Sequence, residues 1–337
     1  MKPGVTKAVT IAAAGAVIAL SLGACSNTNN PTNPTNPTDT APAALIPISV
    51  SYSEEAADEV PLWIAKEAGY FKDHGLDVTL LSLPSDQGFP ALLSGQVQLA
   101  EMGGTQIVSG AAAGADVKIL VALTPVYPYQ IYANVATMAE LKGKKFGYTS
   151  KSGSQYIGTL AALKQAGIDP ADVNLVPLGS ITNVNNALLA GTIDAAATHP
   201  PASVQFADNG LHMVLDLAQQ KLPNIALGVS TMTAYMNDHP DVIEKFMAAL
   251  KQGFDREKSD EAYATQVLSQ HVGVTDQRLL DATWQFYANE VRLALPIVTV
   301  ESLDSSRQVL IGSVDGVENL DLAKLIDTTY VTKAFQG

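Results

Sequence analysis

From Ile48 onward the chain alternates short apolar runs of two different periods. Ile48-Ser49-Val50-Ser51-Tyr52 has the two-residue alternation of a strand. Pro61 then opens a helical stretch through Leu62, Ile64, Ala65 and Ala68 that closes at Gly69. Proline suits a first helical turn and glycine the position after the last. Leu76, Val78 and Leu80 alternate with Asp77 and Thr79, a second strand. Ala91-Leu92-Leu93 reads as a short helix ended by Gly95, and Val97 to Ala100 as a third strand. Thr105 to Ala113 reads as a helix up to Gly114. Val117 to Leu123 is apolar almost throughout, as a parallel strand buried on both faces is. Strand and helix in alternation predict an α/β fold.

The same pattern then returns. Ala91-Leu92-Leu93-Ser94-Gly95-Gln96-Val97-Gln98-Leu99-Ala100 is matched by Ala187-Leu188-Leu189-Ala190-Gly191-Thr192-Ile193-Asp194-Ala195-Ala196, 96 residues later. That offset also carries Tyr52 onto Tyr148, and Asp77-Val78 falls one residue out of register from Asp172-Val173. Two similar lobes follow, each beginning strand, helix, strand, helix, strand, with a ligand cleft between them. In open α/β sheets a ligand sits beyond the carboxyl ends of strands, against helix N-termini. The loops after Tyr52, Ala100, Leu123, Tyr148 and Ala197 are therefore where binding is expected.

The N-terminal segment has another character. Behind Lys2 and Lys7, Ala8 to Leu22 is uncharged and mostly apolar. It falls short of the ~20 apolar residues of a membrane span and has the form of a signal-peptide core. It ends in Leu22-Gly23-Ala24-Cys25, which resembles the bacterial lipobox, whose cysteine is lipidated and becomes the mature N-terminus. The alternative is a cleaved signal with an unrelated cysteine. Residues 1–25 are expected to be a lipoprotein signal peptide, with Cys25 as the membrane anchor. Residues 26–44, with the repeating Pro31-Thr32-Asn33-Pro34-Thr35-Asn36-Pro37-Thr38, have little to bury and read as an extended tether.

Cys25 is the only cysteine, which excludes disulfides within the chain and cysteine-based zinc, iron–sulfur or CxxC redox sites. Lys and Arg total 20 against 33 Asp and Glu, a net charge of −13. No basic footprint exists, so a nucleic-acid partner is excluded. Acidity on this scale bears on solubility and leaves the sign of a ligand open.

Ala65-Lys66-Glu67-Ala68-Gly69-Tyr70-Phe71, followed by Gly75-Leu76-Asp77-Val78, resembles the opening of the nitrate/sulfonate/taurine family of ABC-importer binding proteins, which includes thiamine-pyrimidine-like members. Leu141-Lys142-Gly143-Lys144-Lys145-Phe146-Gly147, Ser152-Gly153-Ser154 and Gly167-Ile168-Asp169-Pro170-Ala171-Asp172-Val173 continue the match in order. The repeat at Ala187 to Ala195 extends it, and the likeness runs from about Ile48 to Gly210. The resemblance implies a type II periplasmic-binding-protein fold, with residues 45–128 and 231–337 as one lobe and 129–230 as the other. Crossovers are expected near Pro125 to Tyr132 and near Ala226 to Thr233. It further implies an extracytoplasmic monomer that passes a small molecule to ABC permease and ATPase subunits. The expected ligand is a small organic anion of the alkanesulfonate, taurine or nitrate type. A heteroaromatic vitamin precursor, or a sensing role beside a signalling partner, is the alternative. The cysteine-rich motif of the eukaryotic, pyrimidine-making branch is missing, which argues against that branch's chemistry. The Trp/Asp/Asn pattern of pyrimidine-binding members is also missing after Tyr52.

Candidate contacts follow from the loops. Lys151-Ser152-Gly153-Ser154 precedes a helix through Ile157, Leu160 and Leu163, where free N–H groups and hydroxyls suit an oxyanion; an N-cap with an exposed lysine is the plain alternative. Gly103-Gly104-Thr105 repeats the logic in the other lobe, with Gly104 and Thr105 as candidates against a simple tight turn. Tyr52, Tyr127 and Tyr129 offer aromatic walls or core packing in equal measure. His199 is a possible donor on the loop after Ala197. No partner at metal-ligand spacing surrounds it, so neither metal nor cofactor is expected. Glu54, Glu55, Asp58 and Glu59 read as a solvated acidic loop. Gly228-Val229-Ser230 lacks the closing glycine of a nucleophile elbow, and neither a dinucleotide fingerprint nor a P-loop is present, so no catalytic residue is assigned.

Overall fold

The computed structural model describes residues 44–337 apart from residues 54, 84 and 152. The expected signal peptide, Cys25, the tether and Ser152 lie outside the described residues.

Among the described residues ten strands form two sheets. The first contains β1 (Ile46–Tyr52), β2 (Leu76–Ser82), β3 (Leu99–Met102), β4 (Val117–Val126) and β10 (Pro223–Met232), ordered β2-β1-β3-β10-β4. The second contains β5 (Gln130–Ala133), β6 (Lys145–Tyr148), β7 (Asn174–Pro177), β8 (Ala195–Thr198) and β9 (His212–Asp216), ordered β7-β6-β8-β5-β9. The two orders superimpose strand for strand. In each, three parallel strands are followed by an antiparallel one, β10 or β5, that belongs by sequence to the other half. The 96-residue offset is reproduced by the helices Ser85–Leu93 and Ile181–Leu189 and by the starts of β3 and β8. This is the two-lobed α/β architecture of type II periplasmic binding proteins.

Two expectations are corrected. Val117 to Leu123 lies in β4, an outer strand running antiparallel to β10. Its apolar run reflects burial on both faces: Val121 and Leu123 enter one core cluster, Ile119 and Ala122 another. Burial writes an apolar run into a sequence; strand direction does not. The second crossover is also displaced, because Ala226 to Met232 lies within β10 of the first sheet. The connection is the segment 217–222, which carries Gln219, Gln220 and Lys221, so the first sheet regains the chain at Pro223, ahead of the expected boundary at 231. The segment 127–129 connects β4 to β5.

C-terminal helices finish the first lobe. The helix Val300–Leu310 lies against β10 and against the helix Gly104–Ala112. Its start is a reciprocal cap: Ser302 N–H donates to Thr299 Oγ1 (3.1 Å), and Thr299 N–H donates to Ser302 Oγ (3.0 Å). Two otherwise orphaned donors are satisfied in this way. Thr299→Ala is expected to cost about 1 kcal/mol. The check is a urea titration in which the midpoint falls while the slope is unchanged.

Candidate functional site

The carboxyl ends of β6 and β8 and the first crossover bring three of the expected residues together. Gly153 is the N-cap of the helix Ser154–Gln165, so the helix starts at Ser154. The hydroxyls of Ser154 and Tyr129 are hydrogen-bonded at 2.8 Å. The Tyr129 ring lies 6.2 Å from that of His199, and His199 meets Tyr287 edge-on at 5.8 Å. His199 Nδ1 lies 3.0 Å from the carbonyl of Pro200. Tyr287, in a π-helical turn Phe286–Val291 of the C-terminal segment, thereby brings the first lobe to the residues of the second. Its hydroxyl donates to Asp58 Oδ2 (2.7 Å), and Asp58 Oδ1 accepts from Thr124 Oγ1 (2.6 Å). Burial, then the Asp58 charge, push the Tyr287 phenol well above its ordinary value, so it stays a neutral donor.

Gln155 ties the loops together beneath this cluster. Its side chain is buried; Oε1 accepts from Thr149 N–H (2.8 Å) and Nε2 donates to Ala197 O (2.7 Å). One amide therefore fixes the loop after β6 to the end of β8. Tyr148 and Tyr156 extend the aromatic lining, with ring centroids 4.7 Å apart.

The other candidates sit differently. Tyr52 is a core residue, edge-on to Trp63 at 6.1 Å, and burial raises its phenol pKa, with Glu55 adding to the effect. Tyr127 is buried in the crossover, its pKa raised by burial and eased by a hydrogen bond with Ser305. Gly104 packs against the C-terminal segment: a Cβ there would meet Ser306 Oγ at 2.4 Å and Ile225 Cβ at 3.3 Å. Thr105 is buried beside it. Lys151 is exposed in the turn before the helix.

Asp58 and Glu59 overturn the reading of a solvated acidic loop, since both are buried. What buries Asp58 is Arg292, which no sequence motif marks. Arg292 donates from Nη2 to the carbonyls of Ala57 (3.1 Å) and Asp58 (2.8 Å) and from Nη1 to the carbonyl of Leu123 (2.7 Å). It forks onto Glu257 through Nε (3.0 Å) and Nη2 (3.1 Å). Burial works against the charged guanidinium, but Glu257, Asp58 and Tyr287 together outweigh it and the net shift is upward. The Arg292 guanidinium lies 5.3 Å from the centre of the Tyr287 ring, with its donors committed within the protein. Among the described residues no group of three or more His, Cys, Asp or Glu could hold a metal ion, and no helix is long and apolar enough to cross a membrane.

A two-lobed periplasmic-binding-protein fold whose halves meet through Tyr129, Ser154, His199 and Tyr287 defines a class of proteins with an interlobe cleft. The family model described as NMT1/THI5 like matches residues 56–260, and the chain belongs to that family. It is 24% identical over 203 residues to the riboflavin-binding protein RibY of Chloroflexus aurantiacus, covering 57% of either chain. It is 30% identical over 143 residues to the 4-amino-5-hydroxymethyl-2-methylpyrimidine phosphate synthase THI13 of Saccharomyces cerevisiae, covering 40% of this chain and 41% of the synthase. The match thus spans little more than half the length of the first relative and less of the second. In structure it is similar to the periplasmic aliphatic sulphonate binding protein SsuA from Escherichia coli. That likeness has a TM-score of 0.68 and 18% identity, and covers 84% of this chain and 99% of that one.

Proposed function

We propose that this chain is the extracytoplasmic solute-binding component of an ABC importer, holding one small molecule between its lobes without chemical turnover. The carrying observation is the cluster of Tyr129, Ser154, His199 and Tyr287, where a helix start and three rings from both lobes converge. Lobe closure about the two crossovers would grip a ligand there, a hinge motion of a known kind. Anchoring through a lipidated Cys25, permease and ATPase partners, and a monomeric state complete the reading.

Two ligand classes fit. A small organic anion such as an alkanesulfonate, taurine or nitrate would draw on the N–H groups and dipole of the helix Ser154–Gln165. A heteroaromatic vitamin precursor is favoured by a separate observation, the gathering of the Tyr129, His199 and Tyr287 rings beside the helix start, since opening of the lobes would offer rings to a planar ligand. The riboflavin-binding relative supports that second class.

Mass spectrometry of the small molecule that co-purifies tests the proposal, followed by calorimetric titration of the stripped protein with it. One-to-one binding insensitive to chelator and without product is expected. Product formation, or binding lost with EDTA, would overturn it. Ser154→Ala is expected to weaken binding by up to about tenfold, the worth of one hydrogen bond of ~1.4 kcal/mol.

A further inference from the structure

A cavity of about 390 Å³ lies in the first lobe, apart from the ring cluster. It is formed by the helix Pro240–Ser259, the residues that end and follow the π-helical turn Phe286–Val291, and the helix Thr329–Gln336. None of Tyr129, Ser154, His199 or Tyr287 lines it. Its volume falls within the ~300–1,000 Å³ of small-molecule pockets.

Much of the wall is apolar. Phe254 and Phe335 meet edge-on at 5.4 Å, and Ala288, Leu293 and Ala294 extend the apolar surface. Leu293 is 37% exposed, a large apolar side chain that the fold leaves uncovered. Five charged side chains also line the cavity, three basic and two acidic, and four of them are paired with one another. Lys251 Nζ donates to Asp255 Oδ2 (2.5 Å), and Arg292 forks onto Glu257. The fifth is Lys258, which makes neither an ion pair nor a hydrogen bond among the described residues. Its place in the last turn of the helix Pro240–Ser259 suits the helix dipole, yet its three donors stay open. The two rings also carry cations: Arg292 Cζ lies 5.6 Å from the centre of Phe254 and Lys251 Nζ 5.9 Å from that of Phe335. Apolar walls with one uncommitted charge, a positive one, are complementary to an anion carried on an apolar body.

We propose that this cavity is a second binding site, separate from the interlobe cleft, for a small monoanion with an aromatic or alkyl body. The anionic group pairs with Lys258, and the body covers Leu293 and packs against Phe254 and Phe335. An anion without an apolar body leaves those walls wet, and a neutral body leaves Lys258 unpaired. The site lies wholly within the first lobe and does not rest on the receptor reading.

A nuclear magnetic resonance titration of the full-length protein, stripped of co-purified small molecules, tests this with benzoate and with hexanoate. Saturable shifts of the Ser259, Leu293 and Ala294 amides are expected with at least one of the two, half-complete at about 1–10 mM, as probes of so few atoms allow. Benzamide and hexanamide, the neutral counterparts, should bind several-fold more weakly. Lys258→Gln is expected to weaken the acid by up to about fivefold, the range for an exposed ion pair, and to leave the amide unchanged. Ala294→Phe, at an exposed position of the wall, fills the cavity and should abolish the shift at Ser259. No saturable shift at these amides in the wild type would overturn the site whether or not the variants fold. Equal affinity for acid and amide would also overturn it, as would shifts confined to residues around Ser154 and His199, which would put the anion in the cleft. The readout is local to the first lobe, so failure here is distinguishable from failure of the receptor reading.

Discussion

Arg292→Ala is expected to destabilise the protein by about 3–5 kcal/mol, the range for removing one partner of a buried ion pair. The guanidinium and Glu257 expose only 5% and 3% of their side chains, so solvent screens little of the interaction. Removal leaves the Glu257 carboxylate buried without its counter-charge. It also strips donors from the carbonyls of Ala57, Asp58 and Leu123. Those carbonyls lie in two places: the turn after β1, which carries both Ala57 and the acidic residue that holds Tyr287, and β4. Arg292 thus joins the C-terminal segment to the first sheet. Lysine is a poor substitute, because its ammonium cannot fork onto Glu257 and reach three carbonyls from one planar group. Denaturant unfolding of Arg292→Ala, Arg292→Lys and the double variant Arg292→Met/Glu257→Leu separates the contributions. The double variant should recover much of the loss, since an apolar pair leaves no uncompensated charge. A loss below ~1 kcal/mol in Arg292→Ala would mean that water reaches the pair and that the fold does not depend on it.

Arg292 also shows where sequence reasoning stops. The alternation of apolar runs, the 96-residue repeat and the glycine-ended helices are local signals, and they point to the two lobes of one topology that the sheets display. The helix start at Ser154 was legible for the same reason, because a Ser-Gly-Ser run between a strand and an apolar helix is a local pattern. Tyr287 and Arg292 lie more than 200 residues along the chain from Asp58, and only tertiary packing brings them there. The same long-range contact turned Asp58 from an apparent surface residue into a buried acceptor. Glu101 carries one weak signal: a single carboxylate within Leu99-Ala100-Glu101-Met102 breaks the apolar run of a central strand. That interruption was the available clue, since a charged residue buried in a central strand needs a partner. The second crossover was misplaced because Ala226 to Val229 is apolar, and a buried strand cannot be told from a buried connection by hydropathy alone.

Gly158→Ala is expected to lower ligand affinity by about tenfold or more while leaving the protein folded. Gly158 lies one turn beyond Ser154 in the helix Ser154–Gln165, on the same face. A methyl group there would meet Tyr129 Cδ2 at 2.3 Å and Cε2 at 2.8 Å, inside any tolerable contact. The ring must therefore move, and it is the ring that joins the Ser154 hydroxyl to His199. Overpacking of this kind costs about 1–3 kcal/mol. Alanine returns up to about 1 kcal/mol through its higher helix propensity. The net change in stability is then modest, whereas a displaced Tyr129 rearranges the contact surface on which both ligand classes depend. Tyr129→Phe, which keeps the ring and removes only the hydroxyl, should stay within about tenfold of the wild type, the worth of one hydrogen bond. Calorimetric titration with the co-purified ligand, alongside a thermal melt of each variant, reads both effects. Unchanged affinity in a folded Gly158→Ala variant would remove Tyr129 from the binding surface and leave the helix start and His199 as the grip contributed by the second lobe.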